Sequence, residues 1–322
     1  MTYDNIIKTE ISKIDQKGTH SYLLDRRNNN IHVYINGKLY PREKACISVF
    51  DSGFLLGDGI WEGIRLLNGS MVFLDEHLDR LYSGAEKLDI DIMYEREELT
   101  DLIQKTLDAN KMKTGVHIRL IVSRGLKKTP YQHPNANMGE NSIVIIPEYK
   151  VADKTVNKNG IRLVTVTTRR GTPNSQDPRI NSISKQNCIS ACIEADKAGA
   201  DEGLMMDIHS NVTTCNSTNF FIVKKGEVWT STGEFCLPGI TRQRVIDLCI
   251  ENDMPVFQKD FRIKDVHYAD ESFVTGTFAG IIPVVEIDGQ AMSKRKRGDL
   301  TFRLQRLYGE QLSRMYPKKT QE

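Results

Sequence analysis

Residues 207–223 read DIHSNVTTCNSTNFFIV. The end of this stretch, Phe220, Phe221, Ile222 and Val223, is an unbroken apolar run of the kind a strand shows when both of its faces are buried. Ahead of it come Ser210, Asn211, Thr213, Thr214, Asn216, Ser217, Thr218 and Asn219. A plain turn needs only about three to six such residues. The chain therefore holds an excess of hydroxyls and amides at the mouth of a core strand, and that excess asks for a binding or structural reason.

Outward from this stretch, strands and helices mix without a strict repeat. Downstream lie the strand EVWTS, the helix TRQRVIDLCIEN, the strands ESFVTGTF and PVVEIDG, and the C-terminal helix DLTFRLQRLYGEQLSRMY. Upstream lie the strand EGLMMD, the helix KQNCISACIEADKAGA and the strand IRLVTV. Nearer the N-terminus, IHVYINGKLY alternates about an Asn36-Gly37 turn, the strongest short hairpin signal. Leu74, Leu78, Leu81, Ala85 and Leu88 keep helical spacing, and a second helix, EELTDLIQKTLDAN, follows. The strands GVHIRLIVSRG and NSIVIIPEY flank a loop rich in proline and asparagine. Short turns between several strands favour an α+β fold with partly antiparallel sheets over strict βαβ winding. The charged, core-poor segment KVADKTVNKNG marks a boundary. This gives an N-terminal extension at 1–30, helical around Ile6 to Ile14, then units at 31–150 and 151–322.

Composition narrows the function classes. A chain of 322 residues builds its core without disulfides. Lysine plus arginine number 44 against 42 acids, a net charge of +2 that provides no basic field for nucleic acid. No apolar run reaches membrane-spanning length, and the opening MTYDNIIKTEISKIDQKGTH is too charged for a signal peptide. Six cysteines are scattered without a CxxC pair, so reduced thiols are expected and no metal site. A cytoplasmic protein with small-molecule partners is the expectation.

Four features could bind or react. In LPGITRQRV (237–245), Pro238 and Gly239 precede a helix start at Ile240 and Thr241, which is either an anion site or an ordinary helix opening. VTGTFAG (274–280) breaks from a strand into a loop holding Thr277, a second set of phosphate donors or a mere bulge. Arg80, in HLDRL, is a solvated arginine paired with Asp75 or Glu76, or else a phosphate fork. Lys185, in RINSISKQN, is a surface charge or a lysine with a depressed pKa that acts as a nucleophile. Together they describe a phosphate held beside a reactive lysine, which is what pyridoxal phosphate requires.

These motifs and their order resemble the class IV aminotransferases, the fold-type-IV pyridoxal phosphate enzymes. The likeness runs from VYING at 33 to PVVEIDG at 289 and rests on GDGIWEGIR, HLDRL, SISKQN, EGLMMD, STNFF, LPGITR and GTFAG. It implies a two-domain protein, with a smaller α/β N-terminal domain and a larger pseudo-barrel domain that binds the cofactor. It implies that Lys185 is the Schiff-base lysine, with Arg80, Thr214, Asn219, Ile240, Thr241 and Thr277 around the cofactor. Trp61, Arg65, Arg119 and Phe278 fall on the substrate side. The resemblance also implies a homodimer whose loop at 125–138 is lent to the neighbouring pocket. An amino donor and a 2-oxo acid acceptor are the implied substrates.

The quoted stretch departs from the family at one telling position. Val212, Asn219 and Phe221 match, but Thr214 stands where the family has the glutamate that pairs with the protonated pyridine nitrogen. A hydroxyl shares only a neutral hydrogen bond there. Ser190 replaces a tyrosine of the branched-chain members. SRGLKKTPYQHP lacks the Arg-x-His clamp of the D-amino acid branch and offers Lys127, Lys128 and His133 instead. An aminotransferase is the first reading. A pyridoxal phosphate lyase, like aminodeoxychorismate lyase, tolerates a neutral ring nitrogen. A regulatory cofactor-binding protein has no physical need of Lys185.

Overall fold

The computed structural model describes residues 18–22 and 24–318, and the helix expected around residues 6–14 lies outside them. The first sheet takes its strands from residues 32–149. β1 (His32–Ile35) and β2 (Lys38–Pro41) form the expected hairpin. Asn36 and Gly37 have φ of 45° and 89°, the left-handed pair that a tight two-residue turn demands. β3 (Gly59–Leu67), β4 (Ser70–Met71) and β5 (Val116–Ser123) follow. β6 (Leu126–Lys127) and β7 (Asn137–Met138) pair only with each other, inside the loop at 125–138. β8 (Ser142–Tyr149) completes the antiparallel order β2-β1-β8-β5-β3-β4.

Strand alternation gives this sheet two unlike faces. Ile118, Leu120 and Val122 of β5 and Ile143 and Ile145 of β8 are buried in one core. The helices Leu74–Lys87 and Arg96–Ala109 supply Leu78, Leu81, Leu99, Ile103 and Leu107 to it. A capping box between Glu95 and Glu98 starts the second helix. The intervening residues of the strands, Arg119, Ile121, Val144 and Ile146, are only half-buried. They line a cavity of about 620 Å³ together with Ile47 and Phe54.

The second sheet takes its strands from residues 161–291: β9 (Ile161–Thr165), β10 (Glu202–Met206), β11 (Val212–Cys215), β12 (Asn219–Lys224), β13 (Glu227–Thr230), β14 (Val256–Gln258), β15 (Glu271–Gly276), β16 (Gly280–Ile287) and β17 (Gln290–Ala291). β11 pairs with β10 on one side and with β12 on the other. The ring β11-β10-β9-β16-β15-β12 therefore closes on itself as a barrel. Closure explains the unalternating run in the quoted stretch. Phe220 and Ile222 pack inward with Leu163, Leu204 and Val274. Phe221 and Val223 pack outward, under the helices Ile240–Glu251 and Asp299–Met315. The Phe221 and Phe273 rings stack at 4.8 Å, and truncating a core ring costs about 3–5 kcal/mol.

The polar residues before Phe220 serve this closure first. The Thr213 hydroxyl donates to the Met205 carbonyl at 3.0 Å, and the Asn216 side chain accepts from the Gly203 N–H at 2.7 Å. Ser217 and Thr218 each donate to the buried Glu202 carboxylate at 2.8 Å. A tight turn at a barrel seam is buried, and buried polar groups need partners. The surplus of hydroxyls fills that need.

Candidate functional site

A cavity of about 130 Å³ lies between the first sheet and the barrel, with residues of both on its wall. Ile240 and Thr241 reach it from the start of their helix. Gly239, the residue before that helix, offers no capping side chain, so the first-turn N–H groups keep their donors free. A Cβ there would collide with the Asn219 amide oxygen, so any larger residue would displace the Asn219 side chain. Asn219 in turn donates to the Leu237 carbonyl at 2.9 Å, which fixes the approach to the helix. Thr275, Gly276 and Thr277 line the same wall, and the Thr275 hydroxyl is buried without a partner. The donor set suits an oxyanion such as phosphate.

Arg80 lines this cavity but does not pair with Asp75 or Glu76, the partners expected from the sequence. Its Nε and Nη2 donate to the two oxygens of Glu62, both at 2.7 Å, and its Nη1 donates to the Pro238 carbonyl at 3.0 Å. Glu62 also meets His77 Nδ1 at 2.6 Å, with both side chains fully buried. Burial alone would raise the Glu62 pKa, but Arg80 and His77 bring it down to about 2. Glu76 pairs with Arg244 instead. Arg80 is thus braced on one edge, and its remaining N–H groups are available to a ligand.

Lys185 precedes the helix Gln186–Lys197. Its Nζ donates to Asn181 Oδ1 at 3.1 Å and lies 5.5 Å from the centroid of the Trp61 ring. Asn181 and Trp61 line the cavity, while Lys185 sits just behind them on a smaller adjoining space beside Arg170. Burial pushes the Lys185 pKa down to about 8, with Cys188 opposing and Arg170 and Arg80 adding to the shift. About a tenth of such an amine is neutral at pH 7.

The remaining expected residues divide. Trp61, Arg119 and Phe278 line the cavity, and the Arg119 guanidinium stacks 3.7 Å over the Trp61 ring. Arg65 and Thr214 do not line it. The Thr214 hydroxyl is committed to the Thr218 carbonyl at 2.6 Å. Lys127, offered by the sequence for the loop, is buried and donates to Asn137 at 2.7 Å. Sequence reasoning missed Glu62 and His77. A glutamate in the apolar register of β3, between Ile60 and Ile64, and a histidine one helical turn before Arg80 were the available signals. It also missed Thr19 and His20, which reach the wall from the extension, and Lys150. No carboxylate lines the cavity among the described residues.

A closed six-strand barrel beside an antiparallel sheet, with a lysine and an oxyanion cradle where they meet, defines a fold-type-IV architecture. The family profile described as Amino-transferase class IV matches residues 59–287, and the chain belongs to that family. It is 39% identical over 283 residues to the branched-chain-amino-acid aminotransferase-like protein 2 of Arabidopsis thaliana, covering 87% of this chain and 50% of the relative. The chain thus spans half the length of that relative. It is 37% identical over 273 residues to a putative branched-chain-amino-acid aminotransferase of Methanocaldococcus jannaschii, covering 84% of this chain and 93% of the relative. Among solved structures, it resembles the branched-chain aminotransferase of the archaeon Thermoproteus uzoniensis with norvaline. The TM-score is 0.78 at 28% identity, covering 90% of this chain and 96% of the other.

Proposed function

We propose that this chain is a pyridoxal phosphate-dependent aminotransferase, moving an amino group between an amino acid or amine and a 2-oxo acid. The observation that carries this reading is Lys185: a lysine with a depressed pKa, held by Asn181 at 3.1 Å beside an oxyanion cradle free of acids. The residues fit the cofactor. The free N–H groups at Ile240 and Thr241, the hydroxyls of Thr241, Thr275 and Thr277, and Arg80 suit its phosphate. Bound there, the cofactor supplies an aldehyde for the amino group and an electron sink that acidifies the Cα proton. Lys185 Nζ would be the amine that holds it and the group that carries that proton. Trp61 and Phe278 flank the substrate and exclude water. In this reading Asn219 fixes the cradle, and Thr214 leaves the ring nitrogen without a carboxylate partner.

The same reading divides the chain at 150/151 and makes it a cytoplasmic homodimer. Exposed apolar side chains support the dimer: Ile47 and Phe54 line the half-buried face of the first sheet, and Val49 and Phe50 are exposed in the same segment, among the described residues. The loop at 125–138 is the segment we assign to the neighbouring pocket. Six thiols outside any disulfide accord with a reducing compartment. Among the described residues, no helix is long and apolar enough to cross a membrane. The test is a panel of amino acids and 2-oxo acids given to the cofactor-loaded protein. Amino transfer to the oxo acid is expected; ammonia or pyruvate release without transfer would point to a lyase.

A further inference from the structure

Glu202 opens β10 as a buried carboxylate that no step of the proposed reaction uses, and among the described residues no cation pairs with it. Such a charge persists only where hydrogen bonds surround it. Three hydroxyls do so. Thr19 and Ser217 donate to its Oε1, the second at 2.8 Å, and Thr218 donates to its Oε2 at 2.8 Å. Burial raises the Glu202 pKa, and these three donors work against that rise. All three residues also line the cavity. A hydroxyl has one hydrogen and two lone pairs. With each hydrogen spent on Glu202, only oxygen lone pairs are left to face the cavity. This wall is the reverse of the oxyanion cradle, where Arg80 and the first-turn N–H groups at Ile240 and Thr241 are donors.

One of the three hydroxyls comes from the N-terminal extension, outside the residues 59–287 that the family profile matches. Gly18 has φ of 75°, and a Cβ there would press on Asp201, so this glycine lets the extension run close against the start of β10. Beyond Thr19, His20 stacks parallel to Phe278 with centroids 6.1 Å apart, and the Ser21 carbonyl accepts from the Asp153 N–H at 3.0 Å. Thr19 is therefore anchored by its neighbours as well as by its own hydroxyl. The other two hydroxyls sit in the turn between β11 and β12, and the Thr214 hydroxyl joins that turn through the Thr218 carbonyl at 2.6 Å. In the aminotransferase reading Thr214 falls beside the ring nitrogen, with its hydrogen already committed. The acceptor wall is the polar surface that adjoins it.

We propose that Glu202 positions the oxygens of Thr19, Ser217 and Thr218 as an acceptor wall for the ring N–H of the cofactor, and so answers from behind the wall the charge that Thr214 leaves without a direct carboxylate. The extension is then a working part of the site. This rests on the aminotransferase reading, and the test separates the two. Protein loaded with pyridoxal phosphate labelled with nitrogen-15 in the ring is titrated with pH, and the chemical shift reports the ring proton. A negative charge held nearby favours the protonated ring, so the wild type should keep that proton at about pH 7. In Glu202→Gln the midpoint for losing it should fall by at least about one pH unit, the equivalent of a tenfold change in proton affinity. Thr19→Val removes only the extension's hydroxyl and should lower the midpoint by less. A denaturant melt accompanies each variant, because a merely structural Glu202 would move the melt and leave the midpoint in place. If Glu202→Gln does not fold, the Thr19→Val midpoint decides. A ring nitrogen that is neutral in the wild type, or a midpoint shared by the wild type and the folded variants, overturns the wall. Either result would leave the cofactor's attachment to Lys185, located separately in the reduced protein, untouched; a protein that takes up no cofactor overturns both.

Discussion

Two charged clusters meet at the same cavity, one of them through Arg80 alone, and they differ in whether their charges are answered from within. Glu62, His77 and Arg80 form a closed set, with three contacts of 2.6–2.7 Å around a carboxylate that is fully buried. Arg119 and Lys150 stand on aromatic faces, and among the described residues neither has a carboxylate within salt-bridge distance. Buried charge persists in a folded protein only when it is paired. A closed cluster is therefore part of the fold, and an open one is read as part of a ligand's site. Lys185 lies between these cases, partnered by a neutral amide and tuned toward the neutral amine.

The largest effect should come from the residue that neither cluster can replace. Lys185→Ala is expected to lower turnover roughly 100- to 10,000-fold, the range for removing a positioned proton carrier. In the wild type, attachment of cofactor to the apo-protein should quicken as pH rises, with a midpoint of about 8, because only the neutral amine reacts. Stopped-flow absorbance checks both points; a pH-independent rate would break the argument.

The closed cluster should show itself in stability. The Glu62 pKa is depressed from 4.5 to about 2 in the folded protein, so its contribution is complete above pH 4.5 and is lost as pH falls toward 2. That shift is worth about 3 kcal/mol by linkage. Glu62→Gln should lose at least that much at pH 7 and flatten the acid limb of the urea midpoint. An unchanged acid limb would mean that the cluster is not closed in solution.

In the proposed reading Arg80 joins the closed cluster to the cofactor phosphate, so its loss should register in both. Arg80→Ala is expected to weaken cofactor affinity by roughly ten- to hundredfold, one charge-assisted bond's worth. Equilibrium dialysis with pyridoxal phosphate measures it, and an unaltered affinity would confine Arg80 to the fold. Smallest of all is Thr214→Val, which removes one hydrogen bond to the Thr218 carbonyl and should cost about 1 kcal/mol in a denaturant melt. A loss of several kcal/mol would show that the seam depends on this hydroxyl far more than its geometry suggests.

Local patterns were legible in the residues themselves, whereas the barrel was expected only through the family resemblance. The helices at Leu74–Lys87 and Ile240–Glu251 and the Asn36-Gly37 hairpin follow from spacing and turn chemistry that act over a few residues. Barrel closure depends on β11 meeting β12 through the single register pair Thr214 and Asn219, and on β9 lying parallel to both β10 and β16. Nothing local announces either pairing. The site divides in the same way. Lys185, Arg80, Ile240 and Thr241 sit in motifs, whereas Glu62 is brought to Arg80 across 18 residues and Thr19 to Glu202 across 183. The polar run at 210–219 promised a site, yet most of it closes the seam, and only Ser217, Thr218 and Asn219 reach the cavity.

The central claim is that Lys185 is the one lysine that attaches pyridoxal phosphate. Its most direct test is to load the purified protein with the cofactor, reduce it with borohydride, digest it and locate the label by mass spectrometry. The account predicts a yellow protein whose colour is lost on reduction, with the label on the peptide containing Lys185 and absent from Lys185→Ala. A label on Lys150 or Lys127, or a protein that takes up no cofactor, would contradict it.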